Sequence, residues 1–99
     1  MVNTPVLKSK KMRLLGFTDH VEEQWYYTTR LLDATSFNLT IDKQTGRYSI
    51  DILNEMFLQP EPYMTMRDPY KNYIKAAIDL KIHELNQSGL DLNYNHPGE

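Results

Sequence analysis

The stretch between Ser36 and Ile52 constrains the fold more than any other part of the sequence. It contains two runs in which apolar and polar residues alternate, and the apolar members are Phe37, Leu39 and Ile41 in the first run and Tyr48, Ile50 and Ile52 in the second. Alternation with a period of two is typical of a strand with one buried face. The intervening KQTG predicts a four-residue hairpin loop in which Gly46 takes a positive φ. With Asp42 opposite Arg47, all six apolar residues fall on one face, and a slip of one residue would destroy that match.

The residues before this hairpin favour a third strand. Aromatic and Thr residues from Trp25 to Leu32 suit a half-buried pleated surface, and the following DATS favours a turn into Ser36. A helix is the alternative, because Asp19 and Glu22 have the spacing of a capping box. We favour a strand from Trp25 onward, with at most a short helical turn over 19–23. Residues 11–17 predict either a fourth strand or an extended arm.

A long helix is predicted near the C-terminal end of the sequence, from about Pro69 to Ser88. Asp68 is a candidate cap, Pro69 suits the first helical position, and Gly89 stands where a left-handed residue is expected after the helix. The predicted apolar side consists of Tyr70, Ile74, Ala77, Ile78 and Leu85, widened by Tyr73, Ala76 and Leu80. The sequence therefore predicts an α+β fold, in which an antiparallel meander of three or four strands packs one face against this helix.

The length of 99 residues indicates one domain covering 1–99, with residues 1–10 and 91–99 expected to be loose. The sequence has no Cys, so disulfides and Cys-ligated metal centres are excluded. No segment reaches the roughly 18 apolar residues of a membrane span, and no signal peptide is recognisable. We therefore expect a cytoplasmic protein that does not associate with a membrane.

Charge is distributed unevenly along the chain. Of 11 basic residues, four precede the first acidic residue, Asp19, and these are Lys8, Lys10, Lys11 and Arg13. The other seven are outnumbered by 13 Asp and Glu residues, so the rest of the chain is acidic and argues against binding to nucleic acid. The basic arm leaves open the alternative of a nucleic-acid-binding accessory factor.

Residues with catalytic potential form no known constellation in this sequence. His20, His83 and His96 lack metal-ligand spacing and are expected at the surface, and no nucleotide-binding or metalloprotease motif occurs. The acidic cluster DHVEE, residues 19–23, leaves a small metal-dependent enzyme as a further alternative. We predict no catalytic residue, no cofactor and no metal.

A candidate partner-binding surface combines an outward aromatic with a Pro-rich loop. Tyr26 should point away from the side on which Trp25 and Tyr27 are buried, because consecutive strand residues face opposite sides. The segment NEMFLQPEPYMTM, residues 54–66, is too irregular for a strand and too broken for a helix, so it is either a lid on the core or a binding loop. The predicted partner-binding residues are Tyr26, Phe57, Gln59, Pro60, Pro62 and Tyr63, with the two tyrosines as anchors.

The motifs WYY, SFNLTIDKQTGRYSIDILNE and QPEPY together resemble small uncharacterised proteins of phages and prophages of Gram-positive bacteria, over roughly Phe17 to Tyr63. The resemblance implies an accessory protein that binds a host or phage protein, and it implies no active site. We therefore predict a non-catalytic protein–protein interaction module. A homodimer is predicted as well, because a small meander leaves strand edges unpaired.

Overall fold

The computed structural model describes residues 3–98 as an α+β fold with a four-stranded antiparallel sheet in the order β1-β2-β3-β4. Its elements in chain order are helix α1 (Ser9–Leu14), strands β1 (Gln24–Leu32), β2 (Thr35–Asp42), β3 (Tyr48–Asn54) and β4 (Gln59–Pro60), a short 3-10 helix (Tyr63–Thr65) and helix α2 (Tyr70–Gln87). The predicted fold class is therefore confirmed, with four strands.

The β2–β3 hairpin has the predicted register. Ile41 lies opposite Tyr48, and the next two apolar pairs follow in step along the strands. The loop is fixed by the carboxylate of Asp42, which accepts the backbone N–H groups of Gln44 and Thr45 at 2.8 and 2.9 Å. The apolar residues of β2 are fully buried. Those of β3 are buried less completely, because β3 is followed only by the two-residue strand β4.

The segment from Trp25 onward is a strand, as predicted, and the helical alternative is wrong. Trp25 is 1% exposed, whereas Tyr26 on the opposite face is 41% exposed. Residues 19–23 form a bend and a turn, closed by a hydrogen bond from Gln24 N–H to the Val21 carbonyl, and not a helical turn.

Residues 11–17 form neither of the predicted structures. Most of this segment belongs to α1, a six-residue helix whose Met12 is fully buried in the core. Phe17, just beyond the helix, is buried against Tyr27 with ring centroids 5.2 Å apart. A helix of under two turns contains too few residues to show a helical period, which is why its sequence pattern could not be recognised.

Helix α2 ends as predicted but begins differently. Gly89 has φ 119°, its N–H donates to the Asn86 carbonyl at 3.1 Å, and Leu90 N–H donates to the Leu85 carbonyl at 3.4 Å. This pair of bonds is the Schellman arrangement that terminates helices at glycine. At the other end the cap position is Pro69 rather than Asp68, and no side chain of residues 3–98 caps the first turn.

The buried side of α2 is narrower than predicted. Ile74, Ile78 and Leu85 are buried in the core shared with the sheet. Tyr70, which was predicted on that side, is 56% exposed, and the large residues expected to widen it are also exposed, at 59% for Tyr73 and 58% for Leu80. One four-stranded sheet with a short edge strand needs only a thin apolar stripe from the helix, so the flanking positions remain at the surface.

The segment after α2 packs against the body of the protein, in contrast to the predicted loose end. Leu90 and Leu92 are buried, and the side-chain amide of Asn86 donates to the Leu92 carbonyl and accepts its N–H, at 2.9 and 2.7 Å. Near the other end, Thr4 is also buried; its N–H donates to the Gly46 carbonyl at 2.8 Å, and its hydroxyl accepts Asp91 N–H at 2.6 Å. The predictions for residues 1, 2 and 99 lie outside the described residues.

Within residues 3–98, no helix combines the length and the apolar character that crossing a membrane requires.

Candidate functional site

Three consecutive large apolar residues are exposed on the turn between β3 and β4. Met56, Phe57 and Leu58, here called the apolar turn, are 74%, 68% and 78% exposed. Single exposed apolar side chains are common on protein surfaces, whereas contiguous exposed apolar patches are less common and are typical of interaction sites.

The backbone of the apolar turn is held in one conformation by Asn54. The side-chain oxygen of Asn54 accepts the N–H groups of Met56 and Phe57 at 2.9 and 3.3 Å, and its carbonyl accepts Leu58 N–H at 2.8 Å. Asn is suited to this position because its side chain can bond backbone groups two and three residues further on. Leu58 has φ 53°, a left-handed conformation that is uncommon for a bulky residue. The apolar turn is therefore presented in a defined shape.

A groove lies at the same end of the sheet. It has a volume of about 330 Å³, and its lining residues are Leu32, Asp33, Ala34, Thr35, Asn54, Glu61, Met66, Tyr70 and Ile74. We call it the Glu61 groove. Its volume falls at the lower end of the range for ligand-binding clefts, about 300–1,000 Å³.

The carboxylate of Glu61 is oriented by two donors. Its Oε2 accepts a hydrogen bond from Asn54 Nδ2 at 3.0 Å and another from Thr35 Oγ1 at 3.2 Å. Asn54 therefore fixes the apolar turn through its side-chain oxygen and Glu61 through its side-chain nitrogen. The two features are parts of one surface joined by a single amide side chain.

Tyr63 does not belong to this surface, so its predicted role as a partner-binding anchor is wrong. It is 1% exposed, and its hydroxyl oxygen lies 2.6 Å from His96 Nδ1 and 3.1 Å from the hydroxyl of Tyr94. His96 Nε2 lies 2.8 Å from a carboxylate oxygen of Asp79. Because a carboxylate only accepts, Nε2 donates, which in a neutral ring leaves Nδ1 to accept the Tyr63 proton.

The chain of bonds from Asp79 to Tyr94 resembles a proton relay; the Asp79 side chain at one end is 63% exposed, whereas His96 and Tyr63 in the middle are buried. His96 is 8% exposed, contrary to the predicted surface position, and the reactive atoms of His96 and Tyr63 are bonded to each other. This arrangement attaches the segment after α2 to the helix and to the 3-10 turn. We interpret it as a structural lock and not as a catalytic centre.

Tyr26 is exposed as predicted but lies far from the apolar turn. It pairs with Thr40, which pairs with Ser49, and Asn54 is five residues further along β3. At about 3.4 Å per residue, this places Tyr26 some 17 Å from the start of the turn along the strand direction. Its hydroxyl donates to the side-chain oxygen of Asn38 at 2.6 Å. Tyr26 and the loop therefore do not form the single surface that was predicted.

The remaining predicted residues lie together. Gln59 and Pro60 form β4 directly after the apolar turn, pairing with Asn54 and Leu53, and both are exposed. Pro62 is also exposed, next to Glu61 in the chain. In the segment 54–66, Tyr63, Met64 and Met66 pack on the core as the lid alternative predicts, whereas residues 56–60 are exposed. A binding role for the exposed part stays a prediction.

The acidic cluster at 19–23 is occupied by protein cations. The Asp19 carboxylate lies 2.9 Å from Arg13 and 3.0 Å from Lys43. The hydrogen bond from Lys43, followed by the charge of Arg13, holds the pKa of Asp19 below its ordinary value, against the opposing effect of desolvation. Both cations also lie over the Trp25 ring, at 4.4 Å for Lys43 and 5.2 Å for Arg13. Across residues 3–98, no three acidic or His side chains are grouped to hold a metal ion.

Sequence reasoning did not single out Met56, Leu58, Asn54 or Glu61 for this surface. Asn54 carried a usable signal, because an Asn at the end of a predicted strand commonly caps a turn with its side chain. Glu61 carried none, since its position beside Thr35 depends on how β2, β3 and the loop come together.

Comparisons with known proteins identify the fold. No family model matches the chain, and no relative was found among curated proteins. Among solved structures, the chain is similar to the crystal structure of a DUF1831 family protein from Lactobacillus plantarum, with a TM-score of 0.67. The two share the same fold. The similarity covers 92% of this chain and 84% of the other at 11% sequence identity. At that identity the comparison shows a shared fold and assigns no functional residue to this chain.

Proposed function

We propose that this protein is a non-catalytic interaction module that binds a partner protein through the apolar turn. The observation that carries the proposal is the exposure of three consecutive large apolar side chains on a turn fixed by Asn54. A turn that served only to connect β3 with β4 could be built from polar residues, so these side chains are not explained by the fold.

The energetics of the apolar turn suit binding. Complete burial of a Met, Phe or Leu side chain contributes about 1.5–3 kcal/mol. Three such residues can therefore supply a substantial part of the free energy of a specific complex. Because the hydrogen bonds to Asn54 already fix the backbone, little further ordering is required when a partner binds, and less of that free energy is lost.

A phage or prophage accessory role in the bacterial cytoplasm belongs to the same proposal. Its support is the sequence resemblance described above. The proposal predicts that the partner is a host or phage protein that occurs in the same cell.

The test compares single substitutions of two exposed apolar residues. Phe57→Ser alters the apolar turn, whereas Leu14→Ser removes a side chain that is 78% exposed on α1. The tagged chain is used to purify partners from the source bacterium, and the dissociation constant of the purified partner is then measured by calorimetry. We expect Phe57→Ser to weaken binding by about tenfold or more, as for a central interface aromatic, and Leu14→Ser to leave it unchanged.

Equal affinities of wild type and Phe57→Ser for the purified partner would contradict the proposal. Thermal unfolding of both variants serves as the folding control. Both side chains are exposed, so their unfolding midpoints should remain close to that of the wild type.

A further inference from the structure

We infer that the Glu61 groove binds a Lys or Arg side chain of the protein that covers the apolar turn. This inference rests on the proposed function, because it names a chemical feature of the same partner. It assigns to the groove an alkyl chain that ends in a cationic nitrogen group.

The charge of the groove is complementary to a cation. Two carboxylates, of Asp33 and Glu61, line it, and none of the nine lining side chains, all within the described residues, is basic. Arg30, a nearby cation, forms a salt bridge with Glu55 outside the groove, with 2.8 Å between Arg30 Nη2 and Glu55 Oε2. A cation that enters the groove therefore meets negative charge without competition from a lining cation.

The carboxylate of Glu61 is prepared to accept such a group. Oε2 accepts from Asn54 and Thr35, whereas no side chain or backbone group in the described part of the chain donates to Oε1. A carboxylate that is oriented before binding forms a charge-assisted hydrogen bond at a lower entropic cost, because its side chain has little rotational freedom left to lose.

The walls of the groove suit an alkyl stem. Leu32, Met66 and Ile74 supply apolar surface, and Lys and Arg pack their methylene groups on such surface while the charged head reaches a polar group. Tyr70 lines the groove and is 56% exposed, and an aromatic ring beside a cation can add to its binding. This combination of apolar walls and one oriented carboxylate does not fit an anion or a purely apolar segment.

Asn54 couples the groove to the apolar turn. A partner that covers Phe57 lies beside the Glu61 carboxylate, because Asn54 bonds to both segments. A basic side chain near the apolar contact of the partner can therefore reach the groove within the same complex.

The experiment uses the whole chain and a minimal probe of the side chain. Butylammonium chloride and butylguanidinium chloride are titrated into the ¹⁵N-labelled protein, with butanol as a neutral control of the same alkyl length. We expect saturable shifts of the Thr35, Asn54 and Glu61 amide signals with both cations at millimolar concentrations and none with butanol. Glu61→Gln should abolish these shifts. Glu84→Gln, which makes the same change in net charge on the exposed side of α2, should retain them.

An absence of saturable shifts with both cations, or equal shifts in Glu61→Gln, would overturn the inference. With the purified partner, Glu61→Gln should weaken binding by about tenfold or more. Phe57→Ser separates the two proposals, because it should weaken partner binding but retain the butylammonium shifts. Equal partner affinities of wild type and Phe57→Ser refute the proposed function even where the groove still binds the cation.

Discussion

Replacing Tyr63 by Phe tests the buried lock between the segment after α2 and the body of the protein. The substitution keeps the ring and removes only the hydroxyl, whose oxygen lies 2.6 Å from His96 Nδ1 and 3.1 Å from Tyr94. Tyr26→Phe is a matched control, because its hydroxyl also makes a 2.6 Å bond, to the side-chain oxygen of Asn38. The two sites differ in burial, with Tyr63 1% exposed and Tyr26 41% exposed.

The expected magnitudes follow from what each hydroxyl leaves behind. In Tyr63→Phe the ring nitrogen of buried His96 loses its partner, and an unsatisfied buried polar group costs about 1–3 kcal/mol. At this chain length each 1 kcal/mol lowers the unfolding midpoint by about 4–8 °C, so a decrease of roughly 4–24 °C is expected. In Tyr26→Phe the Asn38 oxygen still accepts from Thr28 at 2.8 Å, so it is not left without a partner. That change should stay within about 0.5 kcal/mol.

Thermal unfolding followed by circular dichroism, supported by urea denaturation, measures both differences. Equal midpoints for the two variants would show that the hydroxyl of Tyr63 contributes no more than that of an exposed tyrosine, and the interpretation of the bonds around His96 as a structural lock would then be wrong.

Two further predictions concern the β2–β3 loop. Gly46→Ala should lower the free energy of unfolding, measured by urea denaturation, by about 1–3 kcal/mol more than Gly98→Ala does. Both glycines have positive φ, but of the two only Gly46 lies where an added Cβ would overlap a backbone atom, the Thr4 carbonyl oxygen. Similar losses at both sites would contradict this packing. Hydrogen bonds from the backbone N–H groups of Thr45 and then Gln44 lower the pKa of Asp42 from its ordinary value of 3.8. The ionised carboxylate therefore stabilises the folded state above that pH, and this stabilisation is lost as the pH falls through the pKa of Asp42 in the folded state. Asp42→Asn should therefore be less stable than wild type at neutral pH, with the difference shrinking below pH 3.8 in acid titrations; a difference that stays constant with pH would count against it.

Much of the fold could be predicted because it depends on local patterns. The register of the hairpin follows from the alternation around Leu39 and Ile50, since only one alignment places the apolar side chains of both strands on the same buried face of the sheet. The end of α2 follows from Gly89, because a left-handed residue is what the terminating bonds require. These features need no knowledge of distant parts of the chain.

The candidate site could be predicted only in part, because tertiary contacts decide which of its residues are buried and which are exposed. Phe57 and Tyr63 lie in the same irregular segment, and both are large aromatics that suit a core or an interface equally well. Tyr63 is buried because His96, 33 residues away, folds back to bond it, whereas no segment within residues 3–98 covers Phe57. Tyr26 was correctly placed outward, but its distance from Phe57 depends on the register of three strands.

The two hydrogen bonds of Thr4 limit how early the amino-terminal region can fold during synthesis. Its backbone N–H bonds to the loop at Gly46, but its hydroxyl bonds to Asp91, which is 87 positions later. At about 5–20 residues per second, roughly 4–17 s separate the translation of these two residues. Throughout that interval Thr4 can have at most one of these two bonds, so the amino-terminal region is held incompletely until all of α2 and the start of the segment after it have left the ribosome.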